Sequence, residues 1–142
     1  MLKDRERFIL NDNNKIKLNT LSVLPATKIN VDKHYFTWCS GISKEDFKNS
    51  NTSEIIDANK IRNKTLTLRL WKEGDRFTPL GMKGSKKLSD FFIDEKIDIF
   101  SKNNQWLLLD GPRIIWVCGR RVSDHVKITS NTTKYGKLIF KK

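Results

Sequence analysis

From Thr65 to Trp71 the chain alternates strictly, with Leu66, Leu68 and Leu70 on one face and Thr67, Arg69 and Trp71 on the other. A period of two marks a strand with one face in a core. The same strand-like texture recurs through most of the sequence. Arg7–Leu10 and Lys15–Leu21 flank the turn-forming cluster Asn11-Asp12-Asn13-Asn14 and read as a hairpin. Lys33–Cys39 has strand composition, Gly41–Ser53 is polar loop with a turn of helix at Lys44–Phe47, and Ile55–Asp57 is a short strand. Trp106–Leu109 and Ile114–Val117 form a hairpin across the four-residue loop Asp110-Gly111-Pro112-Arg113, and Lys137–Phe140 adds a last strand. One helix is expected, over 86–97. Ser85 is placed to cap it, and Leu88, Phe91 and Phe92 fall at i, i+3 and i+4 on one apolar face. The fold class is therefore α+β: a small antiparallel or mixed sheet system packed by one principal helix.

At 142 residues the chain supports one domain with a modest core or two very small lobes. The polar run Asn59–Lys64 is the candidate boundary. It separates a strand-rich leading lobe or linker, 1–60, from a second part, 61–142.

Charge points to a polyanion. Lys and Arg number 28 against 16 Asp and Glu, a formal net charge of +12. Residues 68–142 hold 16 basic and 8 acidic residues, and Arg113–Lys142 holds eight basic residues with Asp124 as its one acid. Such a field suits nucleic acid or an anionic membrane surface, although a basic surface also serves solubility alone. No apolar run approaches the ~20 residues of a spanning helix, and MLKDRERFIL has no apolar stretch of a secretory signal behind it. Cys39 and Cys118 sit in apolar surroundings and read as free thiols, which places the chain in the cytoplasm. His34 and His125 stand apart from any zinc-ligand spacing.

The stretch Arg69–Phe92, RLWKEGDRFTPLGMKGSKKLSDFF, holds the candidate site. It runs from the strand through a turn at Gly74-Asp75 and a loop with Pro79, Gly81 and Gly84, with Lys83, Lys86 and Lys87 at the expected helix start. Loop amides and a helix N-terminus suit phosphate. The bland alternative is a solvated helix start. Arg69, Lys72 and Arg76 either face the polyanion or pair with Glu73 and Asp75 to orient the turn, Arg76 being the foremost structural candidate. Trp71, Phe77 and Met82 are core residues or platforms for an unpaired base. Arg120, Arg121 and Lys127, just past the apolar hairpin, are placed for phosphate. No catalytic constellation appears. Asp90 and Asp94 lie one helical turn apart beside Lys86 and Lys87, as surface pairs do, and Gly81–Ser85 does not match the phosphate-loop pattern G-x-x-x-x-G-K-[ST].

LRLW (68–71), GDRF (74–77), PLGMKG (79–84) and KKLSDFFID (86–94), followed by WLLL…IIWVCG and Ser123-Asp124, resemble the C-terminal domain of bacterial tRNA(Ile)-lysidine synthetases from about Ile56 onward. Asp98 departs from the family pattern, in which a proline or another uncharged residue follows the helix. The resemblance implies likeness to a domain of the phenylalanyl-tRNA synthetase β subunit. It also implies a parent ligase that uses ATP and magnesium to adenylate the wobble cytidine of CAU-anticodon tRNA(Ile), after which lysine displaces AMP. The S-G-G-x-D-S nucleotide loop of that family is not in this sequence. No cofactor is therefore expected on this part, which is expected to be inactive alone. Its implied role is acceptor-stem binding through Lys83, Lys86, Lys87, Arg69, Lys72, Arg76, Arg120, Arg121 and Lys127. The implied partners are tRNA(Ile) and the N-terminal catalytic domain of the same protein, with a homodimer left open. Two rival readings are an autonomous RNA-binding module and a protein-interaction domain with a solubilising basic surface.

Overall fold

The computed structural model describes residues 20–31, 33–42 and 53–141. All but the last two residues of the hairpin expected over Arg7–Leu21, and the turn at Lys44–Phe47, lie outside them. The described strands are β1 (Thr20–Val23), β2 (Lys28–Val31), β3 (His34–Ile42), β4 (Ser53–Asp57), β5 (Leu66–Leu70), β6 (Arg76–Phe77), β7 (Lys86–Lys87), β8 (Trp106–Asp110), β9 (Arg113–Val117), β10 (Arg121–Val122) and β11 (Tyr135–Lys141). Two short helices lie between β7 and β8: α1 (Leu88–Asp94) and α2 (Ile99–Asn103).

The strands form a five-stranded sheet, β1-β5-β8-β9-β10, a four-stranded sheet, β2-β3-β11-β4, and the two-stranded ribbon β6-β7. Every pairing is antiparallel. β1 thus joins a sheet otherwise made of residues 66–122, while β11 runs between β3 and β4.

Period-two patterning explains how the layers stack. On β5, Leu66 and Leu68 are fully buried and join Trp106, Leu108, Phe36, Trp38 and Leu138 in one apolar cluster spanning both sheets. Alternate residues Leu107 and Leu109 of β8 point the other way, into a second cluster with Phe77, Leu88, Phe91 and Phe92. The five-stranded sheet is therefore covered on both faces, which is why WLLLD is buried at every position.

A bulge in β9 breaks this alternation. Leu108 pairs with Trp116 and Leu109 with Ile114, leaving Ile115 as the extra residue. Ile115 and Trp116 consequently both face the inter-sheet core. The hairpin itself is tighter than expected: Asp110 pairs with Arg113, so its loop is Gly111-Pro112 and not four residues. Gly111 holds φ +64, a value that a tight hairpin turn asks of glycine.

The principal helix is shorter than 86–97. Lys86 and Lys87 pair with Phe77 and Arg76 across the ribbon, so the helix starts at Leu88. Ser85 does not cap it; Lys87 occupies the cap position without a side-chain cap bond. The Leu88 amide donates instead to the Asp75 carbonyl at 2.9 Å, a tertiary partner doing what a capping serine would do. Lys96, at φ +55, ends the segment. Asp98 then caps α2, its carboxylate accepting the Ser101 amide at 2.8 Å, which accounts for an acid there.

Candidate nucleic-acid interface

The strand-to-loop turn is organised by one carboxylate. Asp75 accepts both terminal nitrogens of Arg69 at 2.9 Å and the Lys72 amide at 2.8 Å. The Arg69 side chain is 17% exposed and that of Asp75 7%, so the fork-to-fork pair is largely withdrawn from water. Because the Asp75 carbonyl also receives the Leu88 amide, this residue fixes the distance between the strand and α1. The internal pairing with Asp75, one of the two readings of Arg69, is thus formed in the fold. Arg76, the foremost structural candidate in sequence, is instead exposed and bonded only to Ser85 Oγ, at 3.1 Å, among the described residues.

The loop beyond it is pinned from far along the chain. Ile115, freed by the bulge, accepts the Ser123 amide at 2.8 Å. This brings Ser123 beside Pro79 in an isolated antiparallel bridge. Asp124 donates its amide to the Thr78 carbonyl at 2.8 Å and accepts the Gly81 amide on its carboxylate at 3.0 Å. The Gly81 hydrogen bond, with Lys127 nearby, holds the Asp124 carboxyl below the usual range. Gly81 sits at φ +91, a backbone that suits glycine. The Leu80 amide goes to the Val122 carbonyl and the Met82 amide to that of Pro79. The amides of Leu80, Gly81 and Met82 are thus committed within the protein. These three amides are therefore closed to a phosphate. What this loop offers an anion is side chains.

Those side chains differ in how free they are. Lys83 and Lys87 are exposed, and Lys72 is exposed beside the Asp75 turn. None of the three has a carboxylate partner among the described residues. Arg76 and Lys87 face each other across the ribbon, on the side away from buried Phe77. Like charges directly opposite are destabilising, so that juxtaposition favours an anion over it. Lys86 differs from its neighbours: it forms an ion pair with Asp94 and is less than a quarter exposed. Arg121 lies 3.6 Å from Glu95 and over the Phe91 ring, and Lys127 is 3.4 Å from Asp124. Both remain close to half-exposed. Arg120 donates its Nε to Gln105 Oε1 at 2.7 Å. Phe77 is buried and packs edge-on against Phe91; Trp71, partly buried, packs edge-on against Phe92; Met82 is 40% exposed.

A second buried carboxylate organises the β8–β9 hairpin. Asp110 accepts the amides of Arg62 and Asn63, the Asn63 side chain and an Nη of Arg113, at 2.7–3.1 Å. Burial works to raise its carboxyl pKa, but these hydrogen bonds outweigh it and hold the value below the ordinary range. Sequence reading placed Asp110 in the loop and missed this role, because its donors lie nearly fifty residues upstream. No group of three or more His, Cys, Asp or Glu among the described residues could hold a metal ion. No described helix is long and apolar enough to cross a membrane.

The family described as TilS substrate C-terminal domain matches residues 66–138, a span that contains the Asp75 turn, the pinned loop, α1 and the bulged hairpin. The chain belongs to that family. The tRNA(Ile)-lysidine synthase of Parabacteroides distasonis is 36% identical over 136 residues, covering 94% of this chain and 31% of the relative. That of Caldanaerobacter subterraneus is 40% identical over 122 residues, covering 84% and 26%. A crystal structure of a TilS C-terminal domain superposes with a TM-score of 0.70 at 22% identity, covering 86% of this chain and 96% of the other, which shows a shared fold. The chain spans a third or less of these relatives' length. Within the TilS C-terminal fold, GDRF supplies the Asp75 turn, while Ser123-Asp124 and PLG are two halves of one clasp.

Proposed function

We propose that this chain is the tRNA-gripping portion of a tRNA(Ile)-lysidine synthase, and that it holds the acceptor stem by its phosphates. The observation carrying this reading is the clasped 78–82 loop and the ribbon beside it, with Lys83, Lys87 and Arg76 exposed and free of carboxylates among the described residues. Cations on a rigid mount suit A-form RNA, whose backbone and shallow minor groove are read by shape more than by sequence. Lys72, Arg120, Arg121 and Lys127 extend the surface. Lys86 contributes through its pair with Asp94, and Arg69 acts by positioning the turn. In this division residues 61–142 carry the tRNA surface, and the leading part, 1–60, completes the sheets through β1 to β4.

The parent reaction would be ATP-dependent ligation of lysine to the wobble cytidine of CAU-anticodon tRNA(Ile), in the cytoplasm. ATP, magnesium and catalysis would belong to the N-terminal remainder of the protein. The test is binding of the 142-residue chain to tRNA(Ile) and to an RNA hairpin copying only its acceptor stem. Comparable affinity for both, lost together in a Lys83→Ala/Lys87→Ala variant, is the expected result. Failure to bind either RNA at low salt rules out this role for the chain.

A further inference from the structure

An open cavity of ≈ 620 Å³ is lined by the start of β3, the end of β11, α2 with the residues that follow it, and the chain just past β9. That volume lies within the range of small-molecule sites. One wall is a stacked pair, His34 on Phe140, with ring centroids 4.7 Å apart and planes 8° from parallel. α2 contributes Phe100, a large apolar residue that is 78% exposed. Trp106 and Cys118 line the cavity and are themselves buried. Burial pushes the Cys118 thiol pKa well up, so it is a neutral, apolar surface at physiological pH.

The polar lining combines neutral Ser101, Asn104 and Gln105 with cations. The cations are Arg120 and Lys141, and no carboxylate lines the cavity among the described residues. Arg120 is aimed by a relay. The buried Gln105 donates to the carbonyls of Trp106 and Cys118 at 2.7 and 3.0 Å, which locks its amide. Its Oε1 then takes Arg120 Nε at 2.7 Å, leaving the two Nη groups without a protein partner among the described residues. A planar guanidinium held by one edge, beside aromatic rings and a lysine, matches a flat heteroaromatic ring bearing a phosphate.

We propose that this cavity binds one unpaired nucleotide of RNA, the base stacking on Phe100 and the phosphate meeting Arg120 and Lys141. The inference goes beyond acceptor-stem gripping, since duplex phosphates need no aromatic pocket; it rests on that reading only in taking RNA as the source of the nucleotide. A single-stranded extension next to a gripped duplex would add affinity through this site, and stacking makes the gain tolerant of base identity.

Two measurements test it. In the first, the 15N-labelled 142-residue chain is titrated with adenosine 5′-monophosphate, followed at the Gly119 and Arg120 amides and the Trp106 indole. Saturable shifts are expected, with affinity lower by about fivefold or more for ribose 5-phosphate and for a Phe100→Ala protein, as loss of one stacked base implies. Arg120→Ala should weaken the nucleotide and leave adenosine unchanged. In the second, a blunt RNA duplex is compared with the same duplex bearing an unpaired 3′ extension. The extended RNA should bind at least about fivefold tighter. Phe100→Ala should erase that difference while leaving the blunt duplex unaffected, and Lys83→Ala/Lys87→Ala should weaken both RNAs alike. No shift at Gly119 with millimolar nucleotide, or equal affinity for the two RNAs with duplex binding intact, overturns the pocket. Nucleotide shifts without duplex binding support the pocket and count against the acceptor-stem reading instead.

Discussion

Replacing Asp75 with alanine removes the acceptor for two guanidinium hydrogen bonds and for the Lys72 amide at once. Taking away one member of a buried ion pair costs about 3–5 kcal/mol, because the other charge is left without a partner. Arg69 keeps some relief: its Nη1 also donates to the Leu70 carbonyl at 3.0 Å, and 17% of its side chain reaches solvent. The expected cost of Asp75→Ala is therefore about 2–4 kcal/mol. Arg69→Met should cost less, about 1–2 kcal/mol, since Asp75 still accepts the Lys72 amide. A double-mutant cycle should return a coupling of about 1–3 kcal/mol. Urea unfolding followed by tryptophan fluorescence measures all three, and far-ultraviolet circular dichroism checks that each variant starts folded. The same proteins decide between the two roles open to Arg69. In a structural role, Arg69→Met lowers the urea midpoint and leaves the salt dependence of tRNA binding unchanged. A parental midpoint, combined with a salt slope shallower by about one unit, would put Arg69 on the RNA and refute the turn-organising argument.

Three further perturbations probe the packing and the titrating groups. Phe91 is 2% exposed at the centre of the cluster beneath α1, so Phe91→Ala should cost about 3–5 kcal/mol; an unchanged thermal midpoint would mean that α1 is not packed as described. The folded-state carboxyl of Asp110 is lowered relative to the unfolded chain, so its stabilisation is complete above the ordinary carboxylate range and disappears as pH falls through the lowered folded value. The gap in urea midpoint between parent and Asp110→Ala should accordingly be wide near neutrality and narrow in acid, and a gap that does not change with pH contradicts this. Cys118 is 4% exposed with its thiol pKa pushed up by burial, whereas Cys39 is half-buried; a thiol reagent under native conditions should modify Cys39 first, and faster labelling of Cys118 would show that the sheet opens there.

Much of this fold was legible because its signals are local. The alternation of Leu66 and Leu68, the apolar runs of the β8–β9 hairpin and the spacing of Leu88, Phe91 and Phe92 each identify an element and its buried face. What sequence missed depends on distant partners. Ser85 has the chemistry of a cap, but the ribbon pairing of Lys86 and Lys87 and the Asp75 carbonyl take over the helix start. Asp124 and Val122 consume two of the loop amides, through a bulge that apolar patterning does not reveal. Surface pairing of Asp90 and Asp94 with Lys86 and Lys87 was readable from their spacing, but not which lysine takes part: Lys86 reaches Asp94, while Lys83 and Lys87 have no such partner among the described residues. The cavity was illegible for a similar reason, since His34, Phe100, Arg120 and Lys141 are far apart in the chain.

The claim that Lys83 and Lys87 grip RNA phosphates is tested most directly by the salt dependence of tRNA binding. Each phosphate contact contributes a log–log slope of about −0.7 to −0.9 through counterion release. Affinity should be measured across a salt series for the parent, for Lys83→Ala/Lys87→Ala, and for Lys33→Ala/Lys134→Ala. The control pair is equally charged and exposed, flanking strands β3 and β11 of the four-stranded sheet. The expected result is a slope shallower by about one and a half to two units for the first variant only, with weaker binding at low salt. Equal slopes in the two variants would make the loop and ribbon lysines an ordinary solvated face and move the tRNA site elsewhere.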